Sequence, residues 1–100
     1  MIHTETKLAY RHKPTGKWVA LDFFIFNDPY LILIDEFQPS ILYSARNVIE
    51  EDLLNSNMNG ERYAANNFSE FELVEIEVQY KSKEEYVEIK IHETPTGWPN

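Results

Sequence analysis

Two segments near the carboxyl end of the chain alternate apolar and charged residues. Residues 70–80 read EFELVEIEVQY, and residues 84–92 read EEYVEIKIH. Such alternation is typical of strands with one buried face, and the short polar interval between the segments predicts a β-hairpin. A two-residue turn would place Val78 opposite Val87. This hairpin constrains the fold most, because the rest of the chain must cover its apolar side.

The same register makes a prediction about charges on the polar side of the hairpin. Glu75 would lie opposite Lys90, but Glu77 would lie opposite Glu88, and like charges directly opposite each other are destabilising. A partner protein with a basic surface would relieve that repulsion. The apolar side also changes parity after Leu73, which predicts a β-bulge or the end of the ladder at that point.

A second hairpin is predicted at the amino end. Residues 5–12 and 17–26 have strand character and flank a KPTG turn, in which proline and glycine suit the central positions. Two registers are open. A two-residue loop would pair Arg11 with Trp18, whereas a three-residue loop with a glycine bulge would pair His12 with Trp18. The turn residues favour the bulged form.

The middle of the chain contains one more strand and one helix. Residues 30–37 (YLILIDEF) include four consecutive apolar residues, which indicates a strand covered on both faces. Ser44 is a candidate helix N-cap before an apolar stripe of helical spacing, and the helix should end near Asn55. Residues 55–68 are expected to form a long loop.

These elements predict an α+β fold of a single domain over residues 1–100. In the order β-β-β-α-β-β, a mostly antiparallel five-stranded sheet carries one helix packed on a face. A strongly bent sheet close to a small barrel remains an alternative. Residues 93–100 contain two prolines and a glycine, so an irregular tail is expected there.

Composition narrows the function classes. Seventeen acidic and nine basic residues give a net charge of -8, which argues against direct binding of nucleic acid. The chain has no cysteine, and this excludes disulfides, zinc-thiolate sites and a thiol nucleophile. No apolar run approaches the roughly 20 residues that span a bilayer, and the first residues lack the pattern of a signal peptide. We therefore expect a cytoplasmic protein without a membrane partner.

The sequence contains no recognisable catalytic or metal-binding motif. A site built on His12 and His92 would need Asp22 or Glu93 as a helper, and the spacing matches no metal motif. The serines lack a nucleophile-elbow pattern, and three glycines do not form a phosphate-binding loop. We predict no catalytic residues, no metal and no cofactor.

Binding residues are predicted instead on an acidic sheet face and among exposed aromatic and basic side chains. The glutamates would imitate phosphates or meet a cluster of arginine and lysine. Arg11 could stack on Trp18, and Trp98 either folds back on the sheet or anchors a partner. The candidate binding residues are Glu72, Glu75, Glu77, Glu88, Arg11, Trp18, Arg62 and Trp98.

Three short motifs stand out: YRHKPTGKW at residues 10–18, LYSAR at residues 42–46 and FELVEIEV at residues 71–78. In this order they resemble small uncharacterised proteins of tailed bacteriophages. In the phage proteins a YRHKxTG hairpin, a YS or YT helix start and an FEIVEVE strand recur in this order. The resemblance implies no activity. It does imply a small phage protein that acts inside an infected bacterium.

The leading prediction is a non-enzymatic binding protein that inhibits a host or anti-phage defence protein by contacting a basic surface of it. The alternative is a small-molecule or nucleotide-binding module with a pocket lined by Arg11, Trp18, Tyr30 and Arg62. A virion or scaffold component is a third possibility, and the oligomeric state stays open.

Overall fold

The computed structural model describes residues 3–23, 29–80 and 86–95, the last of these by its backbone alone. The strand ending at Pro95 runs into the segment expected to be irregular, and proline is tolerated at the end of an edge strand. Trp98 and the turn after residue 80 lie outside the described residues. The elements in chain order are β1 (His3–His12), β2 (Lys17–Phe23), β3 (Pro29–Ile34), α1 (Arg46–Leu54), α2 (Tyr63–Asn66), β4 (Phe71–Tyr80) and β5 (Tyr86–Pro95), with 3-10 turns at Pro39–Ile41 and Phe68–Glu70.

The strands form an antiparallel sheet in the spatial order β3-β2-β1-β4-β5. β1 lies in the middle and pairs along its whole length with β4, from His3 opposite Tyr80 to His12 opposite Phe71. The two predicted hairpins are therefore joined through their first strands. The α+β class and the antiparallel sheet are as predicted from the sequence.

The first hairpin has the register that the turn residues disfavoured. Arg11 pairs with Trp18 and His12 pairs with Lys17, so the predicted glycine bulge is wrong. Four residues form the turn, and Gly16, at a φ of 72°, donates its N–H to the His12 carbonyl. Arg11 explains this register, because it contacts the Trp18 ring and is bonded to Glu72 on the neighbouring strand.

The second hairpin is shifted by two residues from the predicted register. Val78 pairs with Ile89, and Glu77 pairs with Lys90 rather than with Glu88. The predicted clash of two glutamates is therefore wrong. A shift of two residues keeps every side chain on its own face, so the hydrophobic pattern does not distinguish the two registers. The ladder with β5 is irregular between Val74 and Glu75 and again near Tyr80; the first irregularity lies next to the predicted bulge.

The sheet buries side chains on both faces. On the first face, Ile49 and Leu53 of α1 pack against residues of β1 to β4, and this cluster also contains Ala64 of α2. On the second face, the connection between β3 and α1 covers the strands with Ile41, Phe37 and Leu42. The buried residues of the second core are Ala9, Trp18, Ile41, Val74, Ile76 and Val78.

Helix α1 ends where it was predicted, but it begins without the predicted cap. Ala45 occupies the N-cap position and no side chain caps the helix, because the Ser44 hydroxyl instead accepts a hydrogen bond from Lys7 Nζ at 2.7 Å. The segment expected to be a loop contains the short helix α2. Among the described residues, no helix has the length and apolar character required to span a membrane.

Candidate functional site

Two glutamates of β4, Glu75 and Glu77, form what we term the carboxylate pair. They lie on the same face of the sheet as α1 but are not covered by it. The main contacts of α1 with strands are those with β1 and β3. Both side chains are half-buried. Among the side chains that the structure describes, those of residues 3–23 and 29–80, neither glutamate has a hydrogen-bonding or ion-pairing partner. In the backbone register Glu75 lies between Leu8 and His92, and Glu77 between Thr6 and Lys90.

Glu72 does not belong to the same surface as the carboxylate pair. Glu72 has the same parity along β4 as the residues of the second core, such as Val74, and therefore lies on the second face of the sheet. There its Oε1 accepts hydrogen bonds from Arg11 at 2.6 Å. Only 14% of the Glu72 side chain and 18% of the Arg11 side chain are exposed. This predicted binding residue is thus neutralised within the protein. The fourth predicted glutamate, Glu88, is described only by its backbone.

The predicted stacking of Arg11 on Trp18 is confirmed. The Arg11 guanidinium carbon lies 5.5 Å from the centroid of the Trp18 ring. Trp18 is nevertheless 93% covered, since only 7% of it is exposed. The structure does not bring the proposed pocket together: Tyr30 pairs with Asp22, about 13 Å along β2 from Trp18, and Arg62 precedes α2 on the other face.

His12 lies at the centre of a polar cluster that the sequence patterns did not predict. The His12 Nε2 atom lies 2.8 Å from Glu70 Oε1, and the His12 Nδ1 atom lies 2.8 Å from Thr15 Oγ1. Tyr63 donates its hydroxyl to the same Glu70 oxygen at 2.6 Å. Glu70 therefore takes the place of the predicted helpers Asp22 and Glu93. In the backbone register His92 lies opposite Glu75, four residues along β4 from the partner of His12, so the two histidines are not paired.

Thr15, His12 and Glu70 are arranged like the hydroxyl, base and acid of a nucleophilic triad. Their surroundings nevertheless indicate a structural role. The Thr15 oxygen also lies 3.3 Å from the Lys17 N–H, within its own turn. The cavity found among the described residues does not adjoin the cluster. Across residues 3–23 and 29–80, no group of three or more His, Asp or Glu side chains could hold a metal ion. Through these hydrogen bonds, the cluster holds the turn between β1 and β2 against the start of β4.

Hydrogen bonds from Tyr63 and His12 hold the pKa of Glu70 below its ordinary value of 4.5. A group with a lowered folded pKa stabilises the fold above its unfolded pKa and loses this effect as the pH falls through the folded value. We expect Glu70→Gln to destabilise the protein at pH 5–7, with a deficit that shrinks below about pH 4.5, since a protonated carboxyl resembles the amide. Urea unfolding between pH 3 and pH 7 measures this, with the exposed Glu51→Gln as control. A deficit that stays constant down to pH 3 would contradict the assignment.

A groove of about 540 Å³ opens where β2 separates from β1. β1 and β2 are paired only at the turn end, and further along Leu8 pairs with Tyr43 instead. The walls of the groove come from β2, β3 and the connection to α1. Ile32 is 41% exposed in this groove, so the predicted coverage of β3 on both faces is incomplete. The lining residues are Ala20, Leu21, Asp22, Phe23, Ile32, Ile34, Gln38, Ser40, Ile41, Leu42 and Tyr43.

Sequence patterns carried little sign of the His12 cluster or of the groove. Glu70 is the first residue of the alternating segment 70–80 and resembles its other glutamates in sequence. No local pattern indicates that it lies beside the first turn, where it bonds His12. The short LY dipeptide at residues 42–43 gave no strand signal. No protein-family model, no curated protein and no solved structure matches this chain.

Proposed function

We propose that this protein is a small, acidic binding protein without catalytic activity, which contacts a basic surface of a partner protein through the carboxylate pair. The motif resemblance to phage proteins makes a host or anti-phage defence protein the partner class. In this proposal the frame is a five-stranded antiparallel sheet with α1 on one face. Glu88, opposite Gln79 in the backbone register, would extend the contact across β5.

The main support for the proposal is that the carboxylate pair has no partner among the side chains of residues 3–23 and 29–80. Glu75 and Glu77 lie about 7 Å apart at strand spacing. Both are half-buried, and neither has a counter-charge on β1 to β3 or on the helices. A partially dehydrated carboxylate gains more from a cation than a fully hydrated one does. Since Lys90 is opposite Glu77 in the backbone register, Glu75 is the more important member of the pair.

Charge reversal tests the proposed surface. We expect Glu75→Lys/Glu77→Lys to lose capture of its partner from bacterial lysate, and the wild-type complex to weaken as salt rises. The control Glu51→Lys/Glu61→Lys makes the same change in net charge at two exposed positions off the sheet. It should retain the partner. Equal retention by both variants, confirmed by unchanged circular dichroism, would rule out the carboxylate pair as the contact.

The alternative, a nucleotide-binding module, has less support. Its proposed residues are dispersed over both faces of the sheet, and the groove has an acidic residue, Asp22, but no lysine or arginine in its lining. Phosphate groups require cationic or N–H-rich surroundings.

A further inference from the structure

Within residues 3–23 and 29–80, no backbone group pairs with the groove-facing edge of β2 beyond Trp18. The register with β1 ends at Arg11 opposite Trp18. The connection between β3 and α1 does not pair with this edge of β2. The N–H groups of Ile41, Leu42 and Tyr43 donate instead to the carbonyls of Gln38, Pro39 and Leu8. Among the described residues, nothing continues the ladder along β2 beyond Trp18.

Hydrogen-bond alternation shows which backbone groups face the groove. Leu31 donates its N–H to the Asn57 carbonyl at 2.9 Å, on the outer side of β3. Neighbouring strand residues point their N–H and C=O groups in opposite directions, so Tyr30 faces β2 and exchanges bonds with its partner Asp22. It follows that Leu21 and Phe23 direct their N–H and C=O groups away from β3, into the groove.

The side walls of the groove are apolar, with one charge. Ala20 and Ile32 are cross-strand partners that share one face with Asp22, one pleat further along β2. Asp22 is exposed and has no cationic partner among the described residues. An extended peptide lying beside β2 would place an apolar side chain near Ala20 and, two residues away, a side chain near Asp22.

We propose that this groove binds an extended segment of a partner protein by strand addition to β2, and that the segment carries an apolar residue and a lysine or arginine two residues apart. The backbone groups of Leu21 and Phe23 supply the pairing. The walls select the apolar residue, and Asp22 selects the cation. This groove does not include the carboxylate pair, so the strand-addition proposal can be tested independently of the function proposed above.

A blocked five-residue peptide with valine and lysine two residues apart is the probe, titrated against the labelled protein by NMR. We expect shifts at the amides of Leu21 and Phe23. Two further peptides carry N-methyl groups on one or the other set of alternate amides. One of these should bind at least about tenfold more weakly, since it loses the bonds to β2. Equal binding of all three peptides would overturn the proposal.

Two variants with one control locate the peptide. Ile32→Thr should weaken binding about fivefold, and Asp22→Asn should weaken binding of the lysine peptide but not of a norleucine analogue. Val48→Thr makes a similar change at a residue of α1 with comparable exposure and should bind normally. Normal binding by Ile32→Thr would contradict the site. Sedimentation showing a dimer that Ile32→Thr dissociates would overturn the proposal by making a second copy the occupant.

Discussion

Arg11→Met is expected to lower the free energy of unfolding by about 2–3 kcal/mol, because it leaves the largely covered Glu72 carboxylate without its counter-charge. Arg11 Nε lies 2.6 Å from Glu72 Oε1, and less than a fifth of either side chain is exposed. The same substitution also removes the contact with the Trp18 ring, which adds about 0.5–1 kcal/mol at partly exposed sites. Urea denaturation at pH 7 measures the loss.

Two comparisons separate this effect from a general loss of charge. Arg46→Met breaks an exposed pair with Glu50 at 3.7 Å on α1, and pairs of that kind are worth about 0.3–0.5 kcal/mol. The double variant Arg11→Met/Glu72→Leu should recover most of the stability, because no uncompensated charge remains. If Arg11→Met costs no more than Arg46→Met, Glu72 is hydrated and is available to a partner after all.

Periodicity was sufficient to predict the antiparallel sheet and α1, but it missed the short helix α2 and the extension of β5 to Pro95. The alternation in residues 70–80 reflects only the face of the sheet on which each side chain lies. The structure buries the apolar residues of this segment, namely Phe71, Leu73, Val74, Ile76 and Val78. Periodicity could not predict the register of the second hairpin, since a two-residue slip leaves every side chain on its own face. In the first hairpin, the observed register is the one in which Arg11 contacts Trp18 and bonds Glu72, and no local pattern encodes that long-range bond.

The structure separates the predicted binding glutamates according to the face of the sheet on which each one lies. Glu72, Glu75 and Glu77 look equivalent in sequence, but the change of parity after Leu73 places Glu72 on the other face, beside Arg11. Glu75 and Glu77 remain on the face that α1 covers only in part. Burial of consecutive residues in β1, from Leu8 to Tyr10, indicates the same two-sided sheet. A two-sided sheet divides a row of glutamates between two surfaces.

Leu53→Ala is expected to lower the free energy of unfolding by about 3 kcal/mol, within the 2–5 kcal/mol typical of such truncations. Leu53 is fully buried between α1 and the sheet. Its neighbour Leu54 is half-buried on the same helix and provides the matched control, for which we expect a loss of about 1 kcal/mol. Thermal and urea unfolding of the two variants measure the difference.

This comparison decides how firmly α1 is docked. The helix has nine residues and no side-chain N-cap, and helices of fewer than about 12 residues are marginal by themselves in water. Its stability must therefore come from Ile49 and Leu53 in the first core. Equal losses for Leu53→Ala and Leu54→Ala would mean that α1 is not held over β1 and β3. In that case α1 would not cover this face of the sheet, and the carboxylate pair would not be the part of the face that the helix leaves open. The reason for assigning the pair to a partner protein would then be lost.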